Sequence, residues 1–464
     1  MDEKLLLASL EQKRGIKMKS KYLLLAAFIF LSHWSWSQLE DSKSKFSLLE
    51  AQQYGLENNV NVINADLDVK AAKQRIWENT ALGLPQVNAS AGYTNNLKLM
   101  TTLIPAEFFG GEPGTLQPVQ FGTQHNANVN ISATQLIFNG PYIVGLQAAS
   151  KYKELMEKSL DKSEEDLKEA VAISYYTVLM AESTRDALRA NLANMESRLQ
   201  ETKVLYETGF LEETDADQLQ ITVSILENEY NSAVQMVELS YKMLINTMGY
   251  DPGRKIELTE TLDEIISGLN TEILSQPFDI TRHAEYKIFS TREHLAMLNV
   301  RMMQYEYMPT VSASFNHMQM AMRQNFNFFD FDQDWYPSTL VGINLSIPIF
   351  SSGNKKMKIA QAKVELEKTK NSKEYLSNSL ELMVEQSRMD FSKAYQKYLN
   401  EKENITLAQK VLDKTSVKYQ NGMTNSLDLT QASDQLVNVH TAYIAAIIEL
   451  LNAKLSLDKA LGNL

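Results

Sequence analysis

The sequence predicts a mixed α/β membrane protein, mainly α, in which long antiparallel helical hairpins are joined to four β-strands per chain. Three observations carry that prediction. A large block occurs twice in the chain, each copy contains a long proline-free stretch with helical spacing, and each copy contains two segments in which apolar and polar residues alternate.

The duplication is marked by glycines. Gly209 in LYETGFLEETDADQL and Gly422 in KYQNGMTNSLDLTQASDQL lie 213 residues apart, and the same offset relates Gly140 to Gly353 and Gly249 to Gly462. Upstream, Leu84-Pro85-Gln86-Val87 pairs with Met308-Pro309-Thr310-Val311 at an offset of 224, so the first copy carries extra residues between its proline and its LIF segment. A unit this long is no solenoid repeat. It divides the chain into repeat 1 (38–249), a connector (250–277) and repeat 2 (278–464), after an N-terminal segment of 1–37.

That N-terminal segment has the layout of a secretory signal. Met18-Lys19-Ser20-Lys21 is basic, Tyr22 to Leu31 is apolar, and Ser35-Trp36-Ser37 supplies small residues for cleavage before Gln38. Residues 1–17 either lengthen the basic region or precede the true initiator, Met18. The chain is expected to leave the cytoplasm. Its lack of cysteine removes disulfides, cysteine zinc sites and thiol catalysis.

Phe46 to about Leu82 has helical spacing and ends before Pro85. The period then changes to two: Val87, Ala89, Ala91 and Tyr93 alternate with Asn88, Ser90 and Gly92, and Ala127, Val129, Ile131 and Ala133 alternate with Asn126, Asn128, Asn130 and Ser132. The region 86–138 is therefore a strand pair, with 95–125 as a surface loop. In the second copy, Val311, Ala313 and Phe315, then Val341, Ile343, Leu345 and Ile347, predict a pair over about 310–350 with 317–337 as a loop.

No proline falls between Pro141 and Pro252 or after Pro348, so two stretches lack the strongest helix breaker. The first hairpin is expected over about 142–249, with Leu188, Leu192, Met195 and Leu199 facing Leu219, Val223, Leu226, Tyr230, Ala233 and Val237 in coiled-coil steps. The second is expected over about 353–462, returning through Leu436, Val439, Tyr443, Ile447 and Leu450. Gly209 and Gly422 suit the left-handed position that closes a helix. Thr214-Asp215 and Ser426 suit the caps of the returning helices. The connector, with Pro252 and Pro277, is expected outside the helices.

Four strands with one lipid-compatible face cannot close a barrel, because the smallest bacterial outer-membrane barrels use about eight. Several chains must share one; periodicity does not fix how many. Outside the N-terminus no apolar run approaches the roughly 20 residues of a spanning helix. The net charge of −12 is mixed along the helices, the mean hydropathy is −0.28, and no basic block follows a phosphate backbone, so nucleic acid is not an expected partner.

With these features, the chain resembles the outer membrane efflux protein (TolC-like) family. The resemblance covers essentially the whole mature chain and rests on the duplication, the LPQV and MPTV strand starts, the LIF-NG and PIF-SSG strand ends, and above all the two glycine turns. It implies a homotrimer with a twelve-stranded β-barrel in outer-membrane lipid and an α-barrel crossing the periplasm of a Gram-negative cell. It also implies that the turns, Thr208-Gly209-Phe210 and Asn421-Gly422-Met423, dock a periplasmic adaptor coupled to an inner-membrane pump. Where the family keeps valine, leucine or threonine beside the glycine, this chain differs, which leaves the partner's identity open. Two acidic residues three apart form the constriction in well-known members; Asp428 matches the first and Gln431 replaces the second, with Asp215 and Gln218 as counterparts in repeat 1. Asp428 would then ring the axis with carboxylates, or would sit as an ordinary helix-start aspartate.

No catalytic constellation or cofactor motif stands out. His283-Ala284-Glu285 lacks the cysteines of a zinc deaminase. Asp330, Asp332 and Asp334 open like a calcium loop but meet Trp335 where glycine is required and Val341 where glutamate is. His317, Met318, Met320 and Met322 are soft-metal donor types, in a chain with 20 methionines spread throughout. The expected function is a passive exit duct of a tripartite efflux system, not an enzyme. The same architecture also serves type I protein secretion, and a periplasmic coiled-coil adaptor or scaffold would lack the duplicated strands.

Overall fold

A computed structural model describes residues 44–330 and 332–464. The signal-peptide reading, with Gln38 as the first mature residue, lies outside the described residues. In chain order the elements are β1 (Lys45–Phe46), α1 (Leu48–Asn58), α2 (Val60–Ala81), β2 (Gln86–Asn95), β3 (Thr101–Pro105), β4 (Leu116–Gln120), β5 (His125–Phe138), α3 (Gly140–Glu207) and α4 (Glu213–Met248). There follow β6 (Glu257–Leu258), α5 (Leu262–Ser267), α6 (Ala284–Tyr305), β7 (Thr310–Arg323), β8 (Tyr336–Ser346), α7 (Asn354–Gln420) and α8 (Ser426–Leu461).

Two compact units form. Among the described residues the smaller contains Ser44–Ser47 together with Lys255–Thr259, and in it β1 and β6 pair in parallel. The larger holds everything else.

In the larger unit the order helix, two sheet strands, long helix, shorter helix occurs twice. The 68 residues of α3 and 67 of α7 give contours of about 100 Å at 1.5 Å per residue. Each packs along its returning partner, α3 on α4 and α7 on α8. Near the turns the two hairpins share one core: Leu188, Met195 and Leu199 of α3, Leu219, Val223 and Leu226 of α4, Leu412 and Tyr419 of α7, and Leu429 and Ala432 of α8. The four-three stepping seen in the sequence is thus the buried seam. Cutting fully buried Leu219 to alanine would cost about 2–5 kcal/mol. At the other end, Lys459 of α8 bridges to Asp166 (2.8 Å) and Glu169 (2.5 Å) of α3, and α5 packs on α3 and α8.

The four long strands form one antiparallel sheet in the order β2-β5-β7-β8. The strand pairs of the two copies are therefore joined through β5 and β7, and β2 and β8 are left as edges. Register puts Val87, Ala133, Phe315 and Val341 in one row across the sheet, and Asn88, Ser132, Asn316 and Leu340 in the next. Successive side chains alternate between faces, so one face is mainly apolar and the other is rich in serine and asparagine, with Leu340, Met318, Met320 and Met322 among them.

Four expectations need correction. The helix predicted over 46–82 is broken at Asn59, whose Oδ1 caps α2 at the amide of Asn61 while its Nδ2 donates to the Thr247 carbonyl at 2.8 Å. A tertiary bond at this position outweighs a helical pattern that runs straight through it. The loop 95–125 contains an extra hairpin, β3 paired with β4, whose strands are too short to show a clear alternation between their glycines and prolines. The expected loop beginning at His317 starts only after Arg323, because β7 continues through the methionines. Finally, α8, where no such run was expected, contains an 18-residue window with a mean hydropathy of 1.4, apolar enough by length and composition alone to cross a membrane; the helix packs against α7.

Candidate constriction and docking tips

Both hairpin turns are built the same way. α3 ends at Thr208, Gly209 takes φ +81°, and the amides of Gly209 and Phe210 donate to the carbonyls of Tyr206 and Leu205, each at 2.8 Å. α7 ends at Asn421, Gly422 takes φ +66°, and the amides of Gly422 and Met423 donate to the carbonyls of Tyr419 (3.0 Å) and Lys418 (2.9 Å). This paired bonding satisfies the last carbonyls of a helix and requires the left-handed conformation that glycine adopts without steric cost. A Cβ on either glycine would meet nothing within 4 Å. Each turn then presents one large apolar side chain, Phe210 at 79% and Met423 at 76% exposure.

The caps of the returning helices differ from expectation. Thr214 and Asp215 lie inside α4, whose cap position is Glu212, with no side-chain bond to the helix amides. Ser426 is the first residue of α8, and its neighbour Asn425 caps the helix by accepting from the Asp428 amide at 2.9 Å. Ser426 is buried, and its hydroxyl donates across the copies to Asp215 Oδ1 (2.6 Å) and is 3.1 Å from Gln218 Oε1. Asp215 and Gln218 are half-buried by this clasp. Asp428 and Gln431 remain exposed on the single chain, and the Asp428 carboxylate accepts from the Thr424 hydroxyl. The four candidates fall into two pairs with different employment: Asp215 and Gln218 hold the other copy, while Asp428 and Gln431 face solvent.

Further neutral contacts tie the hairpins together. Thr202 Oγ1 lies 2.7 Å from the Tyr419 hydroxyl, whose pKa burial pushes upward, so it stays protonated. Asn191 Nδ2 donates to Ser433 Oγ at 3.0 Å. Sequence reasoning missed these residues, since isolated polar residues on a coiled-coil seam give no local signal; only Ser426 stood out, and for a cap it does not make.

The soft-metal candidates do not converge. Strand alternation puts His317 on the apolar face, where its Nδ1 is 2.8 Å from Thr339 Oγ1. Met318, Met320 and Met322 stand on the opposite face, in register with Asn130, Asn128 and Asn126. In the candidate calcium loop, the Asp332 amide bonds to Asp330 Oδ1 at 3.2 Å, a local turn. Among the described residues no group of three or more His, Asp or Glu could hold a metal ion. His283 caps α6, its Nδ1 accepting from the Glu285 amide at 3.3 Å.

Comparison with known proteins agrees with this architecture. Over 440 residues the chain is 21% identical to the outer membrane protein TolC of Vibrio cholerae serotype O1, covering 90% of this chain and 91% of that protein. Its fold matches the crystal structure of the outer membrane protein VceC of Vibrio cholerae, with TM-score 0.68, 14% identity, and 89% and 96% of the two chains covered. It also matches the open state of the Neisseria gonorrhoeae MtrE outer membrane channel, with TM-score 0.69, 16% identity, and coverage of 89% and 88%. The model of the family described as outer membrane efflux protein matches residues 53–249 and 292–463, most of the chain, and the protein therefore belongs to the outer membrane efflux protein family.

Proposed function

We propose that this efflux channel works as a homotrimer, a passive exit duct of a tripartite system that spans the outer membrane of a Gram-negative cell and extends into the periplasm. The observation that carries the reading is the four-stranded sheet with one apolar face and two unpaired edges, β2 and β8. Unpaired backbone groups cannot face hydrocarbon, so the edges must pair with other copies. Three copies would supply twelve strands.

In this arrangement the exposed turns bearing Phe210 and Met423 dock a periplasmic adaptor, and an inner-membrane pump supplies the energy. Asp428 and Gln431 supply the constriction, with three Asp428 carboxylates favouring cations near the axis. Asp215 and Gln218 serve as internal support.

Detergent extracts of outer membranes test the duct by oligomeric state and planar-bilayer conductance. A trimer with discrete conductance steps is expected; a soluble monomer without conductance would overturn the reading. Docking is tested by the double variant Phe210→Asp, Met423→Asp, which should lose adaptor co-purification while keeping its conductance.

A further inference from the structure

The apolar face of the sheet is covered in one place. Among the described residues of its four strands only Ala127, Ala321 and Arg323 are buried, and all three stand on this face. Ala127 and Ala321 are register partners, 9% and 0% exposed. Over them gather residues 324–330 and 332–335 of the segment between β7 and β8. The Phe326 ring meets Tyr93 edge-on at 5.3 Å and His125 at 6.2 Å, Phe328 meets Tyr93 at 5.8 Å, and Trp335 lies 6.3 Å from Phe328. Tyr93 is the register partner of Ala127. Two methyl side chains leave room for rings that a larger pair would push away.

Arg323 explains why the loop folds back instead of standing out in water. Its side chain is on the same face, donates to the carbonyls of Asn327 and Gln333 (the latter at 3.2 Å), and lies over the Phe328 ring at 5.3 Å. A guanidinium on a lipid-facing surface is costly unless its donors are occupied, and the loop occupies them. The fold-back leaves Phe329 80% exposed and Phe326 more than half exposed. Along the strands the same face passes from Phe315 and Val341, through His317, Thr339 and Gln319, to this aromatic cover. The loop's three aspartates, 330, 332 and 334, are exposed.

We propose that the flap formed by residues 324–330 and 332–335 is an interfacial anchor, seating Phe326, Phe329 and Trp335 at the boundary between acyl chains and headgroups of the outer leaflet. Aromatic side chains prefer this zone, and barrels carry them in girdles; here a folded-back loop supplies them. The proposal rests on the reading of the sheet as part of a membrane-spanning barrel.

The test uses the chain's few tryptophans. Beyond residue 36 only Trp77 and Trp335 occur, so Trp77→Phe leaves Trp335 as the reporter in the mature protein. The channel from Gln38 onward, without Trp34 and Trp36, is reconstituted into phosphatidylcholine vesicles brominated either near the headgroup or near the chain ends. Shallow bromines should quench Trp335 by about two-fold more than deep ones, as expected for a ring buried about 5–10 Å below the surface. A second reporter, Phe329→Trp in a chain carrying Trp77→Phe and Trp335→Phe, should behave alike. Weak and equal quenching of both reporters, with conductance retained, would overturn the anchor and leave the duct standing. Failure to insert, with no conductance, would overturn the barrel reading and the anchor with it.

Discussion

Ser426 of the second copy donates its hydroxyl to Asp215 of the first at 2.6 Å, and Asp215 is the counterpart of Asp428 under the duplication. Two aspartates at corresponding positions of the two copies therefore have different work, one half-buried against the other copy and one exposed. Ser426→Ala should loosen the clasp without altering the turns. A bond to a charged acceptor contributes about 1.5–3 kcal/mol, and half-burial of Asp215 puts the expected loss at the lower end. Hydrogen exchange at residues 426–433 should accelerate by about tenfold; unchanged exchange would show that the clasp adds nothing.

Asp428→Lys should weaken or reverse cation preference in planar bilayers, because it replaces a ring of carboxylates with ammonium groups. Asp215→Lys should act differently, lowering stability through the Ser426 contact while leaving selectivity nearly unchanged. Equal selectivity shifts from both substitutions would contradict the division of labour between the two pairs.

Alanine in place of Gly209 or Gly422 should cost about 1 kcal/mol each, the strain of a left-handed residue with a Cβ, since neither site has a neighbour to clash with. Gly249 also has positive φ, but a Cβ there would come 2.5 Å from the Asn58 carbonyl oxygen. Gly249→Ala should therefore lower the thermal midpoint further than either turn substitution. The order of midpoints across the three variants is the check.

Much of the tip was legible in the sequence because a glycine turn between long helical patterns is local: the helix period stops, and the left-handed residue announces itself. The strand faces were legible for the same reason, alternation being a property of neighbours. The contacts of Ser426, Thr202 and Asn191 were not, because they depend on how two hairpins distant in sequence register against each other. The break at Asn59 was hidden likewise, its cause lying at Thr247. His317 and the three methionines read as one cluster in a line of text, yet strand geometry sends them to opposite faces.

Stability should fall with acidity in two windows. Burial holds the His283 pKa below the ordinary value of 6.5; Glu285 opposes the shift, and Lys162, Lys459 and Lys287 add to it. A histidine kept neutral by the fold favours folding fully above its unfolded value, and that contribution is lost as pH falls through the folded one. His283→Asn, which can still cap α6, should flatten the decline of thermal midpoint just below pH 6.5. Glu154 is held down to about 2 by hydrogen bonds from Lys151 and Lys158, so its contribution is present above the usual 4.5 and disappears as pH drops toward 2. Lys158→Met should remove part of that second decline.

The strand order β2-β5-β7-β8 also bears on how the protein comes to exist. A single copy carries two rows of unpaired amides and carbonyls and a greasy sheet surface, the features that template aggregation. Such a copy is an assembly intermediate, so its persistence depends on how quickly partners arrive. Refolding yield should therefore follow chain concentration through a maximum, too dilute to close at one extreme and prone to off-path strand pairing at the other.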